Sequence, residues 1–170
     1  MQTVLSIPEL SAFVDEVFPQ QAGRFEILDL APGRVRVRME TREEDLRPGG
    51  TVSGPTLFLL ADCAYYIVTL AHVGREALAV TTNCGIDFMR KPEPGPLLAE
   101  ARILKLGRRL SVGDVLLYSE GVAAPVARAA QLGRAGEPPA PARAAMEAMA
   151  PLAGSAARAR TADTASTSLP

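Results

Sequence analysis

The sequence has no tryptophan, a single histidine and only two cysteines in 170 residues. So few Cys and His exclude a dedicated zinc centre. Cys63 and Cys84 form no C-x-x-C pair and each falls in an apolar segment, so both read as reduced core thiols of a cytoplasmic protein. There is no G-x-x-x-x-G-K-[ST] loop and no G-x-G-x-x-G turn, which leaves nucleotide phosphates without a ready cradle. Charge of either sign is not in excess: 18 basic against 19 acidic side chains give a net charge of -1, without the basic footprint of a nucleic-acid partner. The start, MQTVLSIPELSAF, lacks the basic residues and long apolar core of a secretory signal. What is present is ordinary for a soluble globular chain: 48% hydrophobic and 22% charged residues. The length suffices for one domain with a real core.

The stretch from Gly49 to Val73, GGTVSGPTLFLLADCAYYIVTLAHV, organises the rest. Pro55 suits the first turn of a helix, where its fixed φ fits and its missing N–H is not needed. From Thr56 to Val73 there is neither Gly nor Pro. Leu57, Leu60, Ala61, Ala64 and Val68 recur at helical spacing, while Phe58, Leu59, Tyr65 and Ile67 fill the other faces. A helix apolar all round is enclosed by protein or lipid. A membrane span is opposed by Asp62, which would cost about 2.5–3.5 kcal/mol near a bilayer centre, so no membrane partner is expected. Asp62 has no basic residue within two turns. A buried acid without a charge partner is expensive, which marks it as a functional candidate. The competing reading is a structural Asp, bonded to a hydroxyl or amide of a neighbouring strand.

Around this stretch the elements follow from pattern. Ser6 and Glu9 form a capping box, and Leu10, Phe13, Val14 and Val17 then give the stripe of a short helix that Pro19 ends. Arg24–Leu30 and the strictly alternating Arg34–Glu40 read as strands around an Ala31-Pro32-Gly33 turn. Thr41–Ser53 reads as a polar loop. Beyond the central helix, Ala77–Met89, Leu97–Leu106 and Leu110–Glu120 read as strands, the last two joined at Gly107-Arg108. Val122–Leu132 is an Ala-rich final strand. The expected class is α+β, with a long buried helix wrapped by an antiparallel sheet. The domain spans residues 1–132. Residues 133–170, dominated by Ala, Pro, Arg, Ser and Thr, read as a disordered tail.

Gly49–Lys91, with the hairpin LKLGRRLSVGDV, resembles the PaaI-like acyl-CoA thioesterases of the hotdog fold. Their signature is a His-Gly-Gly stretch followed eight or nine residues later by Leu-Ala-Asp. Here Leu60-Ala61-Asp62 matches the second part and Ser53-Gly54-Pro55 stands at the first. The resemblance implies that Asp62 acts as nucleophile or as base for water, that the Gly54 N–H polarises the thioester carbonyl, and that Thr81 supplies a hydroxyl that helps hold the attacking water. It also marks two substrate-binding positions where this chain departs from the family: Ser53 replaces the His, and Arg47 stands where some relatives carry Asn. No cofactor is implied, since coenzyme A is part of the substrate.

Spacing adds an assembly argument. A helix start favours negative charge, which suits Gly54 as donor to an oxyanion. But Gly54 and Asp62 lie eight residues apart on one helix, about 12 Å at 1.5 Å per residue. They cannot act on one carbonyl within one chain. Antiparallel helices across a two-fold axis would bring Gly54 of one subunit beside Asp62 of the other. The expectation is therefore a homodimer or a dimer of dimers. Coenzyme A phosphates call for cations, and Arg90, Lys91, Lys105, Arg108 and Arg109 are the candidates; the plainer reading is two solvated basic turns. His72 reads as a cationic cap at the helix C-terminus, a place that argues against the related dehydratases, whose site uses a His. The alternative to a hydrolase is a non-catalytic acyl-CoA-binding or scaffold protein in which Asp62 is structural.

Overall fold

A computed structural model of the chain describes residues 1–134. All but the first two residues of the expected tail lie outside the described residues. The capping box of α1 (Ile7–Val17) forms as its sequence implies: Glu9 accepts bonds from the Ser6 N–H and hydroxyl at 2.8 and 2.6 Å. Leu10, Phe13 and Val14 bury the stripe. The strands β1 (Phe25–Ala31) and β2 (Arg34–Met39) follow, then α2 (Gly54–Val73), β3 (Val80–Phe88), β4 (Leu97–Leu106), β5 (Ser111–Ser119) and β6 (Ala127–Arg134). These six strands join one antiparallel sheet in the order β1-β2-β4-β5-β6-β3. Among the described residues, the third strand thus lies at the far edge, paired only with the sixth.

The sheet curves around α2. Val35, Val37, Met39, Leu97, Ala99, Val115, Leu117 and Ala127 face inward from the strands and meet Leu57, Leu60, Ala64, Ile67, Val68 and Leu70 of the helix. Each large aliphatic side chain removed from water here is worth about 1.5–3 kcal/mol. α2 is long and apolar enough to cross a membrane, but 72% of its most apolar window is buried within the protein. It is the core helix. The Tyr65 and Ser111 hydroxyls join helix to sheet at 2.7 Å. The Tyr65 ring lies so close to β5 that a Cβ on Gly113 would strike both the ring and the Arg102 carbonyl oxygen, so only glycine lets helix and sheet approach there.

Two details differ from expectation. The final strand runs Ala127–Arg134, so it starts later than expected and takes in the first two residues assigned to the tail, which pair with β3: residues 121–125 form a turn, with Gly121 at φ 78° and Pro125 unable to donate to a ladder. The loop 41–53 is more ordered than polar composition suggests. It holds a turn of 3-10 helix at Glu43–Asp45 and a tight excursion closed by pairing of Leu46 with Val52. Gly49 and Gly50 sit at its tip at φ 96° and 73°.

Candidate active site

Two grooves flank the open side of α2, one at its first turn and one at its middle. Ser53 caps the helix; its Oγ accepts the Thr56 N–H at 3.4 Å and its carbonyl accepts the Leu57 N–H at 3.2 Å. Pro55 has no N–H, so the Gly54 N–H is the first-turn donor left over from the cap. Gly54 lines a groove of about 460 Å³ together with Arg47, Val52, Leu57, Phe88, Met89, Arg90, Lys91 and Pro92. The Phe88 ring lies directly over Gly54: a Cβ at that position would stand 3.3 Å from its Cζ. Arg47, Arg90 and Lys91, all exposed, put three positive charges on the rim. Arg90 is steadied by a 2.8 Å bond to the Pro125 carbonyl, and Arg47 by one of 2.8 Å to the Thr51 hydroxyl.

The second groove, about 340 Å³, is lined by Asp62 and Thr81 together with Val17, Phe18, Cys63, Tyr66, Ala77, Ala79 and Val80. Thr81 donates from Oγ1 to Asp62 Oδ1 at 2.6 Å. A register shift in the β3–β6 pairing falls between Thr81 and Asn83, where β3 passes Asp62. Asp62 itself is half-buried, not enclosed as a helix apolar on every face implies. Pro55, Phe58, Leu59, Asp62 and Tyr66 form a stripe that the chain's own sheet leaves partly open. The neighbouring thiols are poor nucleophiles. Burial, with the Asp62 charge beside it, pushes Cys63 up to about 12, and the same two causes raise Cys84.

The structure therefore gathers Arg47, Gly54, Arg90 and Lys91 in one place and Asp62 and Thr81 in another. Ser53 stands at the rim of the first as N-cap. Lys105, Arg108 and Arg109 are brought to neither. Lys105 is near the end of β4, paired with Val112, and Arg108 and Arg109 lie in the β4–β5 turn before Ser111. His72 caps the helix as a neutral imidazole: Nδ1 donates to the Val68 carbonyl at 2.8 Å while Nε2 accepts the Gly33 N–H at 2.9 Å. A cation there could not accept the second bond.

Sequence reasoning missed Arg24 and Asp45. Arg24 immediately precedes β1 and Asp45 closes the short helical turn of the loop, yet they form a buried pair with both side chains 7% exposed. Burial alone would raise the Asp45 carboxyl. The Arg42 N–H, the Arg24 guanidinium and the Thr56 hydroxyl outweigh it and hold the carboxyl below the usual carboxylate range. Nothing local distinguishes Asp45 from its exposed neighbours Glu43 and Glu44, so the pair carried no signal.

A long helix wrapped by one curved antiparallel sheet is the hotdog fold. Residues 49–125 match the family model described as "Thioesterase superfamily". A "putative thioesterase" from Silicibacter sp. TM1040 is 57% identical, with a TM-score of 0.74 over 79% of this chain and 94% of that one. The chain belongs to this superfamily. It is also similar to a mutant of the phenylacetic acid degradation protein PaaI from Thermus thermophilus, at 30% identity and a TM-score of 0.59 over 68% of this chain and 97% of that one. A protein of Streptococcus mutans solved with acetyl-CoA bound is 25% identical, with a TM-score of 0.59 over 66% and 90% of the two chains.

Proposed function

We propose that this chain is an acyl-CoA thioesterase, hydrolysing acyl-CoA to a free acid and coenzyme A in sites shared between two subunits. The observation that carries this reading is the pairing of Asp62 with the Thr81 hydroxyl in a largely apolar groove, with a helix-start donor in a separate groove of basic rim. Asp62 is the carboxylate that attacks the thioester carbonyl or takes the proton of an attacking water. The Gly54 N–H of the second subunit receives the charge that develops on the carbonyl oxygen. The apolar groove takes the acyl group. Arg47, Arg90 and Lys91 face the phosphates, and the S. mutans relative with acetyl-CoA bound supports that class of ligand.

The same surfaces support a dimer. The open stripe of α2 includes Phe58, 39% exposed, and the edge strand β3 carries Val80 and Phe88 at 50% and 56%. A patch of this kind beside a free strand edge is an association surface.

The test is release of free thiol from short, medium, long and aromatic acyl-CoAs. Turnover is expected on at least one of them, and Asp62→Asn should lower kcat at least about a hundredfold while still binding acyl-CoA. No turnover on any member of the panel would sink the reading. A folded Asp62→Asn protein with undiminished turnover would remove Asp62 from the chemistry. A binding or scaffold protein would bind acyl-CoA without hydrolysis.

A further inference from the structure

Arg24 and Asp45 come from segments 21 residues apart and meet beneath the first turn of α2. One guanidinium nitrogen of Arg24 reaches both carboxylate oxygens of Asp45, each at 2.5 Å. Asp45 Oδ2 also accepts the Arg42 N–H at 2.8 Å, and Oδ1 accepts the Thr56 hydroxyl at 3.1 Å. The Asp45 main-chain carbonyl accepts the Ser53 N–H at 2.8 Å. Because the Thr56 hydroxyl hydrogen is committed to Asp45, the 2.9 Å contact between the Thr56 and Ser53 hydroxyls is donated by Ser53. Ser53 is thus held at its N–H and at its hydroxyl by groups that lead back to one residue, Asp45. Gly54 is the next residue along the chain from Ser53.

Stability does not account for this arrangement. A buried ion pair gains little or nothing over an apolar pair of the same shape. This one also leaves Arg24 Nε buried with no partner among the described residues, which carries a cost of its own. What the network does fix is direction. An oxyanion donor must sit where the charge will develop, and a displacement of about 1 Å can cost about a hundredfold in rate.

We infer that the Arg24–Asp45 pair, acting through Thr56 and Ser53, is a positioning device that sets the Gly54 N–H for catalysis. The inference rests on the acyl-CoA thioesterase reading. Arg24, Asp45 and Thr56 touch no substrate; they orient the group that does. None of the three lines the Asp62 groove, so the pair tunes one half of the shared site without contacting the other.

Thr56→Val keeps the shape and removes the hydroxyl, and Thr56→Ser keeps the hydroxyl. In the full chain, Thr56→Val should lower kcat about tenfold to a hundredfold with KM within about threefold. The unfolding temperature should change little, and Thr56→Ser should recover most of the lost kcat. Asp45→Asn, which retains shape but weakens the hold on Arg24, should show the same split between kcat and KM. If Thr56→Val keeps kcat within about twofold, or loses activity only in proportion to its folded fraction, the inference is overturned. Amide hydrogen exchange at Ser53 and Thr56, whose N–H groups donate to the Asp45 carbonyl and the Ser53 hydroxyl, gives a readout independent of turnover. Faster exchange there in Thr56→Val, against an unchanged core, is expected; unchanged exchange overturns the inference. Wild-type protein inactive on every acyl-CoA would defeat the functional reading alone, and the exchange data would still decide the positioning role.

Discussion

Asp45 shows how a single side chain can hide in a sequence. It sits in Glu43-Glu44-Asp45, three acids in a loop of otherwise ordinary polarity. Only the fold reveals that one of them is buried on an arginine that precedes the first strand. Its carboxyl is held below its ordinary value of 3.8 despite burial, by the Arg42 N–H, the Arg24 guanidinium and the Thr56 hydroxyl. A depressed folded-state value means that Asp45 stabilises the fold above its unfolded value and that this contribution is lost as pH falls through the folded value. Glu9, held low by the Ser6 hydroxyl and N–H, adds a slope of the same sign. The comparison to make is therefore wild type against Asp45→Asn. In urea titrations from about pH 5 to about pH 2.5, the stability difference between them should shrink as pH falls. A difference constant across that range would show that the Asp45 charge does not contribute.

At the scale of elements, alternation and capping made α1, α2 and the strand pairs legible. Among the candidate site residues, position was legible where it is local, Gly54 at a helix start and Asp62 within a long apolar helix; Thr81 came from the family resemblance, and its hydroxyl meets Asp62. What could not be read depends on distant partners. The exposure of Asp62 is one case, because a helix apolar on all faces gives no sign of which face the chain's own sheet leaves open. The start of β6 is another, since Val122–Pro125 continues an apolar run that Gly121 and Pro125 turn aside. Gly113 is a third: in sequence it is a weak point in a strand, but in the fold it is the place where α2 rests on β5. Gly113→Ala would press its new methyl group into the Tyr65 ring and the Arg102 carbonyl. It should cost about 3 kcal/mol, the upper end for overpacking. Gly85→Ala, with nothing within 4 Å of its added methyl group, is the control and should unfold close to wild type. Equal stability of the two variants in chemical denaturation would show that the close approach of helix and sheet is not tight.

At the scale of the molecule, the two grooves on one helix make activity a property of pairs of chains under the proposed reading. Asp62→Ala removes the acid and Gly54→Pro removes the donor, so each homodimer should be inactive. In a mixed dimer one site carries both lesions and the other neither. Random exchange makes half the dimers mixed, so mixing should restore about a quarter of wild-type activity. Since proline also restricts the residue before it, the folding of Gly54→Pro has to be established by circular dichroism first. Proven subunit exchange without recovery would place each site within one chain. The unfolding temperature should also rise with protein concentration, as mass action requires of a protein stabilised by its own association.

The order of the sheet has a consequence for how the protein is made. β3 leaves the ribosome third among the described strands, yet its only partner among them is β6, the last. About 40 residues separate Phe88 from Ala127, about 2–8 s of synthesis at 5–20 residues per second. Throughout that interval both edges of β3 are bare, and the strand runs out into the apolar pair Phe88-Met89. Nascent chains on one messenger carry the same bare strand close together at the same moment. Under the proposed dimer, synthesis favours early capture of one copy by another, and a chain that stops short of β6 emerges with a strand that has no partner among the described strands.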